Sequence, residues 1–318
     1  MSGQQSNVRA SGWKSFLGPL GRIVLASVLV VGAVAAVQVV VKLLKGVLSL
    51  GGALPALYYL AYLLASVLVC YFVYRAYVRL VERRPLSELS RARAPRELGI
   101  GVAIGLGLIA VLVGSLWVLG YYRIAGTNAF AVVFVSLAND GAGAFVEEVV
   151  LRGIVFRITE ERLGTWVALA ISVVLFALLH LASPNATVTS TLVVGVEGGV
   201  LLSAAYVLTR RLWLPIGIHF GWDFSQDAIF GVGTGANGLV EGDLSGPAWL
   251  SGGSAGIEGS VVALVLCAGV GAYLLVRAAR QGNLLPPAGS AKGRGPCVKC
   301  PVSRNSQIIA ERKSNFAE

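Results

Sequence analysis

The sequence predicts an all-α membrane protein, a polytopic bundle of about eight transmembrane helices with the N- and C-termini both cytoplasmic. Three observations carry that expectation. Of 318 residues, 56% are hydrophobic and only 13% are charged, whereas soluble domains carry roughly 25% charged residues. Apolar stretches of spanning length, which needs about 20 residues, recur near 23–41, 54–74, 98–120, 130–156, 165–182, 188–208, 213–230 and 257–276. Finally, 22 of the 26 Lys and Arg residues fall in alternate connections, against three (Lys42, Lys45 and Arg123) in the others. That asymmetry is the positive-inside signal.

Taken in order, residues 1–22 form a cytoplasmic N-terminal segment. The first apolar stretch has no A-x-A-like cleavage site and reads as a retained helix. Residues 23–129 hold the N-terminal helices and a basic loop. Within that loop RLVERRPLSELSRARAPR, 79–96, suits either an interfacial helix on anionic lipid or an ordinary positive-inside connection. Asn139-Asp140-Gly141 interrupts the fourth stretch. The helix after it is therefore expected to start near Gly143, with Asp140 as its N-cap and 130–138 as a separate short piece. Residues 130–278 form a second membrane domain, its glycine-rich loop 231–256 facing outward. Residues 279–318 read as a disordered basic cytoplasmic tail.

Several function classes are excluded. The net charge of +10 is spread between apolar spans, so no nucleic-acid partner is expected. Cys70, Cys267, Cys297 and Cys300 are too few and too scattered for a disulfide framework. Cys297 and Cys300 form a single C-x-x-C, which lacks the other two ligands of a zinc site. There is no P-loop, no G-x-S-x-G and no H-E-x-x-H. Gly195 and Gly199 form a G-x-x-x-G, expected to be a close helix contact within the bundle.

Against this background, GAFVEEVVLRGIVF (143–156) is anomalous, because each charge at bilayer depth costs about 2.5–3.5 kcal/mol on insertion scales. The intramembrane polar set is Glu147, Glu148, Arg152, His180, Glu197, His219 and Asp223, with Asp140 and Asp227 at expected helix ends. Both histidines of the chain belong to it. Glu148 and Arg152 are i,i+4 on a helix and suit a salt bridge that lowers the cost of burial. Glu147 points about 100° away from Glu148 and has no partner on its own helix. His219 and Asp223 are again i,i+4. Glu197 either lines the same cavity or pairs with Arg152.

Carboxylates and imidazoles converging from three helices suit hydrolysis by an activated water. Glu147 would act as general base and His180 would orient the water or bind a metal. His219 and Asp223 would bind a metal or stabilise the oxyanion.

The ordered set E-E-x-x-x-R (Glu147, Glu148, Arg152), F-x-x-x-H (Phe176, His180) and H-x-x-x-[N/D] (His219, Asp223) resembles the CPBP family over roughly 143–230. Its members include CAAX prenyl endopeptidases of the Ras-converting type and bacteriocin-processing or immunity proteins. The resemblance implies an intramembrane endopeptidase of about eight helices in which Glu147 and His180 activate water. His219 and Asp223 would help hold the tetrahedral intermediate, with Glu148, Arg152 and Phe176 in support. Members are described both as metalloproteases and as glutamate-dependent enzymes. The cofactor expectation is therefore either a divalent metal such as zinc, held by Glu147, His180, His219 and Asp223, or none. Eukaryotic members favour asparagine where this chain has Asp223. The expected partners are membrane lipids and a peptide or membrane-protein substrate, in the plasma membrane of a prokaryote. Two rivals accompany this reading. A proton-coupled transporter would show internal repeats and broken helices in both halves. A non-catalytic immunity or binding protein of the same family would lack an intact motif set.

Overall fold

The computed structural model describes residues 18–48, 54–183, 186–233 and 238–289. The expectations for residues 1–17, for Cys297 and Cys300, and for the tail from 290 onward lie outside the described residues. The helices are α1 (Pro19–Leu48), α2 (Leu54–Tyr77), α3 (Ala94–Val118), α4 (Val132–Glu148), α5 (Arg157–His180), α6 (Val188–Thr209), α7 (Trp213–Phe224), the short α8 (Ala248–Ser251) and α9 (Val261–Arg280). Wide π-helical turns extend α2 (Val78–Glu82), join α4 to α5 (Val149–Phe156) and extend α7 (Ser225–Ile229).

Among the described residues, six helical stretches are long and apolar enough to cross a membrane, and one of them, Val132–His180, runs for 49 residues. Gly164, at φ 78° and ψ 169°, breaks that run in two. Only glycine adopts such a backbone without strain. A side chain here would also strike the backbone of Leu285 and Pro287. With the break and the shorter α7 included, the bundle has the eight principal helices expected, and it is a multi-pass membrane architecture. Its surface fits that setting, since Val24, Val28 and Val31 of α1 and Leu64, Leu68 and Phe72 of α2 are exposed. α6 is the central helix, with 72% of its apolar window buried against 17% for α1 and 11% for α2.

Close backbone contact places the site-bearing helices. A Cβ at Gly195 would lie 2.7 Å from the Ala177 side chain, and one at Gly199 would lie 2.5 Å from Val173 Cα. The G-x-x-x-G of α6 is thus a contact with α5 inside the bundle, as its sequence suggests. α3 and α7 approach even more intimately. Added Cβ atoms at Gly101, Gly105, Gly217 and Gly221 would each meet the other helix's backbone at 2.3–2.5 Å. This packing clamps the segment that carries His219.

Two expectations are corrected, and one of the two alternatives for residues 79–96 is set aside. α4 runs without interruption through Asn139-Asp140-Gly141, and no side chain caps its start at Ala131. Gly141 serves close packing, since a Cβ there would lie 3.1 Å from Leu63 of α2, and Asp140 is buried mid-helix. Residues 79–96 form no separate interfacial helix. Their Glu82, Arg84 and Glu88 enter an ion network with Arg22 and Arg157. The segment after α9 is docked rather than free: Thr165 N–H donates to Leu285 O at 2.9 Å and Ala288 N–H to Arg162 O at 2.9 Å. Asn283 Nδ2 meanwhile caps the Val207 and Leu208 carbonyls at the end of α6.

One element was not expected. The strands β1 (Tyr122–Thr127) and β2 (Val240–Leu244) pair antiparallel, from Tyr122 opposite Leu244 to Thr127 opposite Val240. This small sheet joins two connections at the end of the bundle opposite the ion network.

Candidate active site

The helix α4 delivers Glu147 and Glu148 at its last turn, and the π-turn that follows carries Arg152. π-turns add a residue to the helical circuit and concentrate at functional sites. Glu148 Oε1 accepts from Arg152 Nη1 at 2.7 Å, and both side chains are fully buried. Arg152 Nη2 also donates to Gly198 O of α6 at 2.6 Å, and its guanidinium carbon stands 5.1 Å above the Phe176 ring centroid. The expected brace is present, and Arg152 does not pair with Glu197.

Glu147 differs from its neighbour in sequence. Its side chain is 43% exposed, and the nearest polar partner is His219 Nε2 at 4.0 Å. It lies beside a cleft lined by Val31, Val34, Gln38, Tyr62 and Asn139, between α1, α2 and α4.

His219 sits at the centre of the arrangement. Its Nδ1 is 3.0 Å from Glu148 Oε1, and its Nε2 is 3.3 Å from Asp223 Oδ2, one turn along α7. Both ring nitrogens therefore face carboxylate acceptors, and a doubly protonated ring satisfies both at once. His180 is in a different state of engagement. Its Nδ1 lies 2.9 Å from the Phe176 carbonyl, which only accepts, so that nitrogen carries the hydrogen and Nε2 is left as an acceptor. Its ring stacks on Phe176 at 4.5 Å between centroids. Phe176 itself fits because position 198 is glycine: a Cβ there would stand 2.3 Å from the ring.

His180, His219 and Asp223 line one cavity of about 430 Å³ of non-atom space, its mouth included. Glu147 does not line that cavity, but its carboxylate stands 4.0 Å from the same His219 Nε2 that Asp223 faces. Of the four residues expected to converge, three line the cavity and Glu147 adjoins it at His219. Among the described residues, no three His, Cys, Asp or Glu side chains converge in a way that could hold a metal ion. In this arrangement carboxylates face both nitrogens of His219.

The cavity also holds groups absent from the sequence-based set. Glu258, from the turn Ile257–Gly259 before α9, reaches its wall together with Glu197 and Cys267. Gln226 Nε2 donates to Glu258 Oε1. Burial first, then the charge of Asp223, pushes the Glu258 carboxyl above its usual range. The signal for Glu258 was present, because it lies within the apolar stretch 257–276. The signal for Cys267 was not, since a cysteine in an apolar span is ordinary.

Residues 127–225 match the family model described as type II CAAX prenyl endopeptidase Rce1-like. The matched segment begins at the end of β1 and ends just past Asp223, so it contains all three motifs. No curated protein and no solved structure matches the chain. The match supports a CPBP/CAAX-protease-like segment over 99 of the 318 residues.

Proposed function

We propose that this chain is an intramembrane endopeptidase. It hydrolyses a peptide bond of a membrane-associated or lipid-modified substrate with water activated by Glu147. The observation that carries the reading is the contrast between adjacent glutamates: Glu148 is sealed against Arg152, while Glu147 stays accessible beside His219 Nε2. A general base must be able to reach water, and a brace must not.

In this scheme a water near Glu147 loses a proton to its carboxylate as the water oxygen adds to the scissile carbonyl carbon. His180 Nε2, the free acceptor, orients the water through its second hydrogen. The developing oxyanion shares the Nε2–H of the protonated His219 with Asp223, while Glu148 holds Nδ1. The C–N bond then breaks, and Glu147 returns its proton to the departing amine. No step needs a metal. The apolar surroundings and the family's prenyl-peptide substrates make CAAX-type or bacteriocin-type precursors the first classes to test, and the plasma membrane of a prokaryote the expected setting.

The test is purified protein in liposomes against a panel of membrane-proximal peptides. Glu147→Ala and His180→Ala should each abolish cleavage without lowering the melting temperature. A Glu147→Ala variant that cleaves like the parent overturns the assignment. Chelators should leave the rate within about twofold, because no single cofactor-dependent term of the general acid–base size is being removed. Loss on chelation with recovery on added zinc would replace this scheme with a metal-dependent one.

A further inference from the structure

The cavity behind His180 and His219 holds more negative charge than the proposed hydrolysis uses. Glu197 is 5% exposed, and its Oε1 has no hydrogen-bond partner. Burying a carboxyl oxygen without a partner is costly, and such groups persist when something else completes them. The nearest guanidinium cannot do so, because Arg152 is spent on Glu148 and the Gly198 carbonyl. Glu258 stands on the same wall, from a different element, and its charge is felt at Glu197. The groups facing this pair are His180, His219 and Asp223. Of these, His219 already answers Glu148 and Asp223. The rest of the wall, apart from Gly198 and the Cys267 thiol, is apolar: the rings of Phe176 and Trp222 beside Val194, Leu201, Leu202 and Ile218.

An apolar sleeve with an unanswered carboxyl oxygen at Glu197 and a second carboxyl, Glu258, on the same wall is complementary to a long side chain that is apolar along its stem and cationic at its tip. We propose that Glu197 and Glu258 form a specificity subsite for a lysine or arginine side chain of the peptide substrate, held beside the scissile bond. The inference rests on the proteolytic reading, and it names the substrate class of that same site. Binding the cation would complete Glu197 Oε1 and place the neighbouring peptide bond against His180 and His219. The preference is for lysine over arginine, since a single compact ammonium needs less width than a planar guanidinium.

The experiment uses the full chain in liposomes and a series of membrane-anchored peptides. They carry lysine, arginine, norleucine or glutamate at successive positions about the cleavage point, and mass spectrometry locates that point. Binding is read separately by fluorescence anisotropy on the Glu147→Ala variant, which keeps the cavity intact. At one position the lysine peptide should bind, and be cleaved, about 10- to 100-fold better than the norleucine peptide, as for a site built around a buried polar partner. Glu197→Gln should bring that ratio close to one, and Glu258→Gln should reduce it. These two substitutions lie on separate elements, so one that fails to fold leaves the other to carry the test. If no position prefers lysine, or if the preference survives in both variants, the subsite is overturned even where cleavage is robust. If the lysine preference in binding appears but the parent cleaves nothing, the subsite stands and the proteolytic reading falls.

Discussion

Two clusters of buried charge sit in this bundle, and they are built on opposite plans. At the basic end, Glu82 and Glu88 are each answered by more than one cation. Glu82 accepts from Arg22, Arg84 and Arg157, and Glu88 from Arg84 and the Tyr74 hydroxyl, so all four carboxylate oxygens are occupied. Around His219 the balance reverses. Glu147, Glu148 and Asp223 share one arginine and one imidazole, and Asp140 Oδ2, Glu148 Oε2 and Glu197 Oε1 have no partner. A saturated network holds helices together and does nothing else. A cluster left short of cations costs stability, and proteins retain such clusters where the shortage is used.

Substitutions can break or sharpen this contrast. The largest effect belongs to Glu147→Ala, which should lower kcat by about 10²- to 10⁴-fold, the size of a general base. Its melting temperature should stay near the parent's, because the side chain is half-exposed and its one ion contact, to His219, is long at 4.0 Å. Glu148→Ala should behave in the opposite sense. Stranding Arg152 in a sealed site costs about 3–5 kcal/mol, visible as a depressed thermal midpoint in detergent. If Glu148→Ala unfolds no more easily than Glu147→Ala, the division between brace and base is wrong.

A smaller, pH-linked effect tests the saturated cluster. Burial raises the Glu88 carboxyl, but the hydrogen bonds and charge of Arg84 more than offset this and hold it below its ordinary value. A depressed folded pKa contributes stability that is fully present above the unfolded value, about 4.3, and is lost as pH falls through the folded value. Between about pH 5 and pH 3 the parent should therefore lose more thermal stability than Glu88→Gln. Equal losses would show that Glu88 is not answered as the contacts imply. The smallest effect is expected of Cys267→Ala. The thiol sits on the cavity wall but has no role in the proposed chemistry. The rate should change by no more than about threefold, well under the 10²-fold of a lost catalytic group, and a complete loss would instead point to a cysteine nucleophile.

Much of this was legible in residue order. The Glu148–Arg152 pair follows from i,i+4 spacing, and so does the approach of His219 to Asp223. Both are local, and the helical period alone brings those side chains together. The turn between the fourth and fifth spans is likewise marked by a glycine, at 164. Other features depended on distant partners. Asn139-Asp140-Gly141 has the composition of a helix stop, yet packing against Leu63 of α2 keeps it helical. The basic stretch 79–96 looks like a lipid-facing surface until Arg22 and Arg157 enter its network.

By itself the sequence determined the membrane class, the eight helices, and which charged residues had to be reckoned with. Hydropathy, helical period and charge placement are properties of short stretches, so they survive without any knowledge of the fold. Only the tertiary structure decided that Glu147 stands beside His219 outside the cavity that His180 lines, that Glu148 bridges α4 to α7, and that Glu258 joins Glu197 on the cavity wall. Those relations span up to 72 residues of chain, from Glu147 to His219. They are fixed by glycine-to-backbone contacts between α3 and α7 and between α5 and α6, where a single added methyl would push the helices apart.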